Sequence, residues 1–267
     1  MAADAPAWRR RTPRAQLAIW AGWLLALALF VAACREIAAD TIWLFVWDAP
    51  TQAGDLLSRM VPPRWSYLDG LWRPLWDTIN IATLGTLLAI VLAVPLAFLA
   101  ARNTTPSVHV LRPLALLAIV SSRSINALIW ALLLVAVLGP GVLAGIVAIG
   151  LRSVGFIGKL LYEAIEEIDH AQVEAIEATG AGPGQVVAYA IVPQVMPAFA
   201  GISVYRWDIN IRESTIVGLV GAGGIGLQLQ ASISTLAWPQ VTVIFVAIFV
   251  TVLASEWLSA RVRHAII

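Results

Sequence analysis

Charge is what this 267-residue chain has least of: only 12% of its residues are Asp, Glu, Lys or Arg, where soluble domains carry about a quarter. A water-facing surface over a chain of this length is not built from so few charges. The single cysteine, Cys34, excludes a disulfide framework within the chain. The three histidines, His109, His170 and His264, form no His-x-x-x-His or Glu-flanked zinc pattern, so the spacing gives metal chemistry no support. The G-x-x-x-x-G-K-[ST] signature is missing, which excludes ATP binding by a P-loop in this chain. Lysine is nearly absent: sixteen of the seventeen basic residues are Arg, and Lys159 is the exception. That reads as compositional bias. A net charge of +1, with no basic patch interleaved with aromatics, gives nucleic-acid binding no footing.

What is there is apolar. Hydrophobic residues make up 60% of the chain, and mean hydropathy is +0.84. Six apolar runs stand out, at about 17–33, 75–101, 113–138, 142–161, 198–220 and 241–260. Each is near the roughly 20 residues that a helix needs to cross a bilayer. The expected fold is therefore all-α: a polytopic membrane protein of about six transmembrane helices. The fourth run carries Gly145, Gly150, Gly155 and Gly158, a small-residue face that suits close helix contact.

Arginine placement orients the runs, because short cytoplasmic segments collect Lys and Arg. Arg9, Arg10, Arg11, Arg14, Arg102, Arg112, Arg261 and Arg263 fall on one side, which predicts both termini in the cytoplasm. The organisation that follows is a cytoplasmic tail at 1–16, a first span with an external interfacial segment at 17–73, and a core at 74–263. Within the core, about 163–197 forms a cytoplasmic loop, and 264–267 is the cytoplasmic end. The external segment holds Trp43, Trp47, Trp65 and Trp72 with Pro62 and Pro63. It reads as one or two short interfacial helices, a membrane anchor more readily than a docking face. Val31-Ala32-Ala33-Cys34 has the look of a lipoprotein cleavage site but reads as part of an uncleaved first span.

Four arginines fall in or near the runs: Arg123, Arg152, Arg206 and Arg212. An ionisable residue at membrane depth marks a pathway or a partner. Arg123 lies ten residues into its run, about 15 Å deep at 1.5 Å per residue. Ser121, Ser122, Ser124 and Asn126 flank it, and Asn210, Ser214 and Thr215 flank Arg212. A guanidinium fork with hydroxyls beside it suits a phosphate- or phosphonate-like oxyanion. The predicted substrate pathway is thus Ser121, Arg123, Ser124, Asn126, Arg152, Arg212, Ser214 and Thr215. Arg212 has a second reading, internal pairing with Asp208 four residues away or with Glu213.

Between the fourth and fifth runs lies Glu174-Ala-Ile-Glu-Ala-Thr-Gly180-Ala181, with Val192-Pro193 beyond it. This resembles the EAA loop of bacterial ABC importer permeases: Glu174, Ala175, Gly180 and Pro193 stand at that loop's spacing, while Ile176, Ala190 and Val192 depart from it. Ser121–Leu132 with its Arg123, Gly155-Phe-Ile-Gly-Lys-Leu160, Tyr205-Arg-Trp-Asp-Ile-Asn-Ile-Arg-Glu-Ser-Thr215 and Gly218–Gly226 resemble the permeases of phosphonate ABC importers. Asn126, where an acidic residue is expected, and Arg152, where His is expected, are departures. The resemblance implies the type-I ABC importer permease fold of the methionine and phosphonate permeases. It implies a bacterial inner-membrane permease that is not itself an enzyme and holds no cofactor, ATP and Mg being bound by a partner ATPase. Two copies of this chain, two ATPase subunits and an external substrate-binding protein would form the transporter. Glu174, Ala175, Ala178, Gly180 and Ala181 would couple to the ATPase, and Gly221, Gly223, Gly224 and Gly226 would form a gate. The expected cargo is phosphonate or a related phosphorus oxyanion, with phosphate, phosphite or methionine as alternatives. An intramembrane enzyme is the rival class, since Gly201-Ile202-Ser203 faintly resembles a protease motif. Gly221–Gly226 also fits G-x-G-x-x-G, but a dinucleotide site needs a preceding strand, and an apolar helix precedes it.

Overall fold

The computed structural model describes residues 12–266, and these are helical with no strand among them. The chain divides after Leu57 into two compact units. In the first, α1 (Pro13–Asp40) begins at Thr12, whose hydroxyl accepts from the N–H of Ala15, with Pro13 where a missing N–H does no harm. At 28 residues it is about 42 Å long. It buries no side chain and is apolar around its circumference, as a helix solvated by lipid is. Cys34 lies inside it, exposed. Helix α2 (Trp43–Met60) follows and straddles the boundary between the units.

The second unit holds α3 (Leu68–Ala100), α4 (Leu111–Ser124), α5 (Ala127–Leu138), α6 (Val142–Glu166), α7 (His170–Glu177), α8 (Pro183–Val186), α9 (Val192–Val217), α10 (Gly224–Ser234) and α11 (Trp238–Ile266). A single turn of 3-10 helix, Trp65–Tyr67, leads into α3. Residues 58–73 therefore belong to the second compact unit.

Helix α6 is the hub, packed by α3, α4, α5 and α9. Its approach to α3 is close because α3 offers Gly85, Ala89, Ala93 and Ala97, all buried, and small faces let helix backbones meet. Its approach to α4 is closer still. A Cβ on Gly155 would run into the carbonyl of Ile119 and lie 2.7 Å from the backbone nitrogen of Arg123. Ser122 ties the two together: its hydroxyl donates to the carbonyl of Leu151 and accepts from the N–H of Gly155 at 2.9 Å.

Among the described residues, five helical stretches are long and apolar enough to cross a membrane, and α4 with α5 makes a sixth span only as a pair bent by 89°. The run 113–138 is thus not the straight helix expected of it. Ile125 is extended, and the Asn126 side chain accepts from the N–H of Leu128 to restart the helix. The run before α10 also differs from expectation. Helix resumes at Pro183, and 183–222 is one helical stretch interrupted by two π-turns, Val187–Ile191 and Gly218–Ala222. In the first, the N–H of Val192 reaches back five residues to Val187, just before Pro193, which has no N–H to give.

A cation-lined cavity between α4, α6 and α9

Arg152, Phe156, Lys159 and Leu160 follow an i, i+4, i+7, i+8 spacing and so share one face of α6. With Arg123 from the last turn of α4 and Arg206 from α9 they line a cavity of about 300 Å³. Gly155 and Ser122 set the α4 backbone against α6 at this level, which puts Arg123 beside that face. Arg152 stands ten residues into α6, about 15 Å from its start.

The four cations are held differently. Arg206 is buried, and its Nε donates to Ser153 Oγ at 2.9 Å while Nη2 meets Glu213 Oε2 at 3.0 Å. The other oxygen of Glu213 takes Arg152, so one carboxylate serves two guanidinium groups. Lys159 stands 3.5 Å from Glu163 one turn along α6. Arg123 has no hydrogen-bond or ion-pair partner among the described residues, and its side chain is exposed toward the cavity. Behind Arg206 a polar chain continues inward. Ser153 donates to Asn210 Oδ1 at 3.1 Å, Asn210 donates to Thr86 at 2.8 Å, and Thr86 donates to the Ala82 carbonyl at 2.6 Å. Every buried member is satisfied, as a buried polar network must be to avoid the cost of bare polar atoms. Phe156 gives the cavity an apolar wall, with the Arg206 guanidinium 5.2 Å from its ring centroid.

Of the residues the sequence proposed for a pathway, Arg123 and Arg152 come together here and the others do not. Ser124 donates to the carbonyl of Val120 in its own helix, Asn126 caps α5, and Ser121 lies outside the cavity wall. Ser214 is buried against the Ile211 carbonyl. Thr215 lies at the seam with α10, its carbonyl pressed on Gly226. Arg212 pairs with Asp208, which also accepts from Ser255 of α11 at 2.8 Å. Lys159, Arg206 and Glu213 were not in that set. The α6 spacing was the available signal for Lys159. Glu213 and Arg206 join residues 53 to 61 positions away, a separation that no local pattern reports.

The Glu174 loop motif lies on α7 and the turn that follows it. Asp169 caps α7 by accepting from Ala171 N–H at 2.9 Å. Glu174, Ala175 and Ala178 are exposed on it, and Gly180 turns the chain at φ +82° with open space around it. Ala181 leads on to Pro183 at the start of α8. The glycine run is packed inside the unit. Gly221, Gly223 and Gly224 have positive φ. A Cβ on Gly226 would strike the Thr215 carbonyl, and the N–H of Ile225 donates to Thr78 Oγ at 2.8 Å. Among the described residues no strand precedes this run. Ser203 Oγ is buried with no hydrogen-bond partner among the described residues. No group of three or more His, Cys, Asp or Glu that could hold a metal ion occurs among the described residues.

Residues 85–264 match the family described as binding-protein-dependent transport system inner membrane component. The chain is 41% identical over 208 residues to the phosphite transport system permease protein PtxC of Stutzerimonas stutzeri, covering 78% of this chain and 75% of that one. It is 42% identical over 212 residues to the phosphate-import permease protein PhnE of Mycolicibacterium smegmatis, covering 79% of this chain and 40% of that longer relative. The fold is also that of the inward-facing MetNI methionine ABC transporter, with a TM-score of 0.66 at 20% identity over 76% of this chain and 99% of that one. With its helical spans and a match over most of its length, the chain belongs to the family of binding-protein-dependent transport system inner membrane components, as a multi-pass transport permease.

Proposed function

We propose that this chain is the permease subunit of an ATP-driven importer for a phosphorus oxyanion: phosphonate, phosphite or phosphate. The observation that carries the reading is the cavity about 15 Å along α6, where a partnerless Arg123 faces Arg152, Lys159 and Arg206. Guanidinium forks bind tetrahedral oxyanions through paired, charge-assisted hydrogen bonds. Relatives named for phosphite and phosphate transport support that chemistry.

Both termini and the α7 segment lie in the cytoplasm, following the arginine distribution. The exposed face of α7, with Glu174, Ala175 and Ala178, followed by the turn at Gly180 and Ala181, is the docking element for a cytoplasmic ATPase subunit that binds ATP and Mg. A second copy of the chain completes the pathway around a two-fold axis, and an external binding protein delivers the anion. The Gly221–Gly226 turn, seated on Thr78 of α3 and Val142 of α6, moves with those helices as the gate. The test is uptake into proteoliposomes holding the permease, the ATPase encoded with it and the binding protein. ATP-dependent uptake of phosphite, phosphate or methylphosphonate is expected. Uptake of methionine, with none of these three carried, would overturn the reading.

A further inference from the structure

The charges around the cavity do not balance, and the imbalance is specific. Four cations, Arg123, Arg152, Lys159 and Arg206, line it. Two carboxylates answer them: Glu213, shared by Arg152 and Arg206, and Glu163 on Lys159. That leaves a surplus of two positive charges, one on Arg123 and one on the pair that shares Glu213. At this depth, with Phe156 and Leu160 in the wall, such a surplus is not screened as it would be in bulk water.

We propose that the cavity selects its ligand by charge state, accepting a tetrahedral oxyanion as the dianion, with Glu213 and Glu163 setting that requirement. The inference rests on the phosphorus-oxyanion reading above and narrows it. A dianion bridging Arg123 and Arg152 neutralises the surplus. A monoanion leaves one charge uncompensated, and a zwitterion such as an amino acid leaves both. Glu213 also keeps the two arginines aligned, each fixed on one carboxylate oxygen. The ligand therefore meets oriented donors. The charged and titratable groups at the cavity are the lining residues Arg123 of α4, Arg152 and Lys159 of α6 and Arg206 of α9, with their carboxylate partners Glu163 and Glu213 and, tilted on Phe156, Tyr205. None is a histidine, the side chain that ordinarily titrates near neutral, so the ligand's own second ionisation carries the pH dependence.

The test is calorimetric titration of the full chain in lipid nanodiscs with inorganic phosphate, sulfate and nitrate. Phosphate affinity is expected to rise about tenfold between roughly pH 5.5 and pH 8, as its second ionisation is crossed. Sulfate, doubly charged throughout, should bind with little change, and nitrate should bind at least about tenfold more weakly than sulfate. Arg123→Gln and Lys159→Gln each reduce the surplus to one and should flatten the phosphate profile, whereas Glu163→Gln raises it to three and should tighten sulfate. The groups changed in these three variants lie at the cavity edge rather than in the buried network, so their folding is not at stake in the way that of Glu213 variants is. Nitrate binding as tightly as sulfate, a phosphate profile flat in the unaltered protein, or no anion bound at all would each overturn the proposal. Should ATP-dependent uptake of phosphorus oxyanions survive any of those results, the charge rule alone falls. Dianion binding without any such uptake would leave the rule standing and sink the transport reading.

Discussion

Two places in the core unit hold an arginine at membrane depth, and they differ in what is left over. At the seam of α9 and α11, Arg212 meets Asp208, and Asp208 also accepts from Ser255. One cation faces one carboxylate, and the carboxylate's second oxygen is used. In the cavity between α4, α6 and α9, Glu213 is divided between Arg152 and Arg206, and Arg123 has no partner among the described residues. The two regions are built from the same residue types, and Asp208, Arg212 and Glu213 lie within six positions of one another. A saturated pair stabilises the helices it joins. An unsaturated group of cations lining a cavity of about 300 Å³ is arranged to receive an anion.

The sharpest way to break the comparison is to remove the shared carboxylate. Glu213→Ala strands Arg206, whose side chain is 4% exposed, next to Arg152. Leaving a buried charge unpaired costs about 3–5 kcal/mol. Thermal denaturation of the purified protein in detergent should show a marked fall in Tm and in yield. A variant as stable as the parent would mean that the network is not what orders this wall.

A smaller loss is expected from Gly226→Ala, which probes the frame common to both regions. The new methyl would press on the Thr215 carbonyl and on Gly218 Cα, 2.8 Å away. Overpacking of this kind costs about 1–3 kcal/mol. Because Thr215 lies in the last turn of the helix that carries both Asp208 and Glu213, uptake should fall with stability. Full uptake at unchanged Tm would show that the glycine run is loosely packed.

Gly180→Val should change stability least, since the position is exposed with nothing within 4 Å. Its φ of +82° costs a residue bearing a Cβ about 1–2 kcal/mol, taken up locally by bending the turn after α7. The effect belongs in coupling: ATP hydrolysis by the assembled complex continues while substrate uptake drops. Normal uptake in this variant would remove the docking role from the turn.

Much of this was legible in the chain itself, for physical reasons that differ by element. The apolar runs are legible because a membrane helix must satisfy its backbone internally and its side chains in lipid, so composition reveals it. Gly180 is legible because a polar turn closing a short helix calls for a left-handed residue. The Asp208–Arg212 pair follows from its i, i+4 spacing. The bend between α4 and α5 falls inside a long apolar run, although Ser121–Ser124 interrupt that run just before it and Asn126 before Ala127 has the character of an N-cap. The cavity itself was half visible. Arg123 and Arg152 stood out as charges at depth, and the face of α6 shared with Arg152 would have added Lys159. Arg206 lies two turns from Glu213 on α9 itself, but the contact of Glu213 with Arg152 depends on how α6 packs against α9, which is tertiary information that the local sequence does not carry.

The central claim, that the unsaturated cavity and not the saturated seam carries the substrate, is tested most directly by comparing Arg123→Gln with Arg212→Gln in the same proteoliposome uptake assay, with Tm measured alongside. Arg123→Gln should abolish ATP-dependent uptake of the oxyanion at an unchanged Tm, since Arg123 has no partner to lose. Arg212→Gln should keep most of the uptake while lowering stability by about 1–2 kcal/mol, its side chain being 49% exposed and Asp208 keeping Ser255. The reverse pattern, with uptake surviving the loss of Arg123 and vanishing with Arg212, would contradict the account.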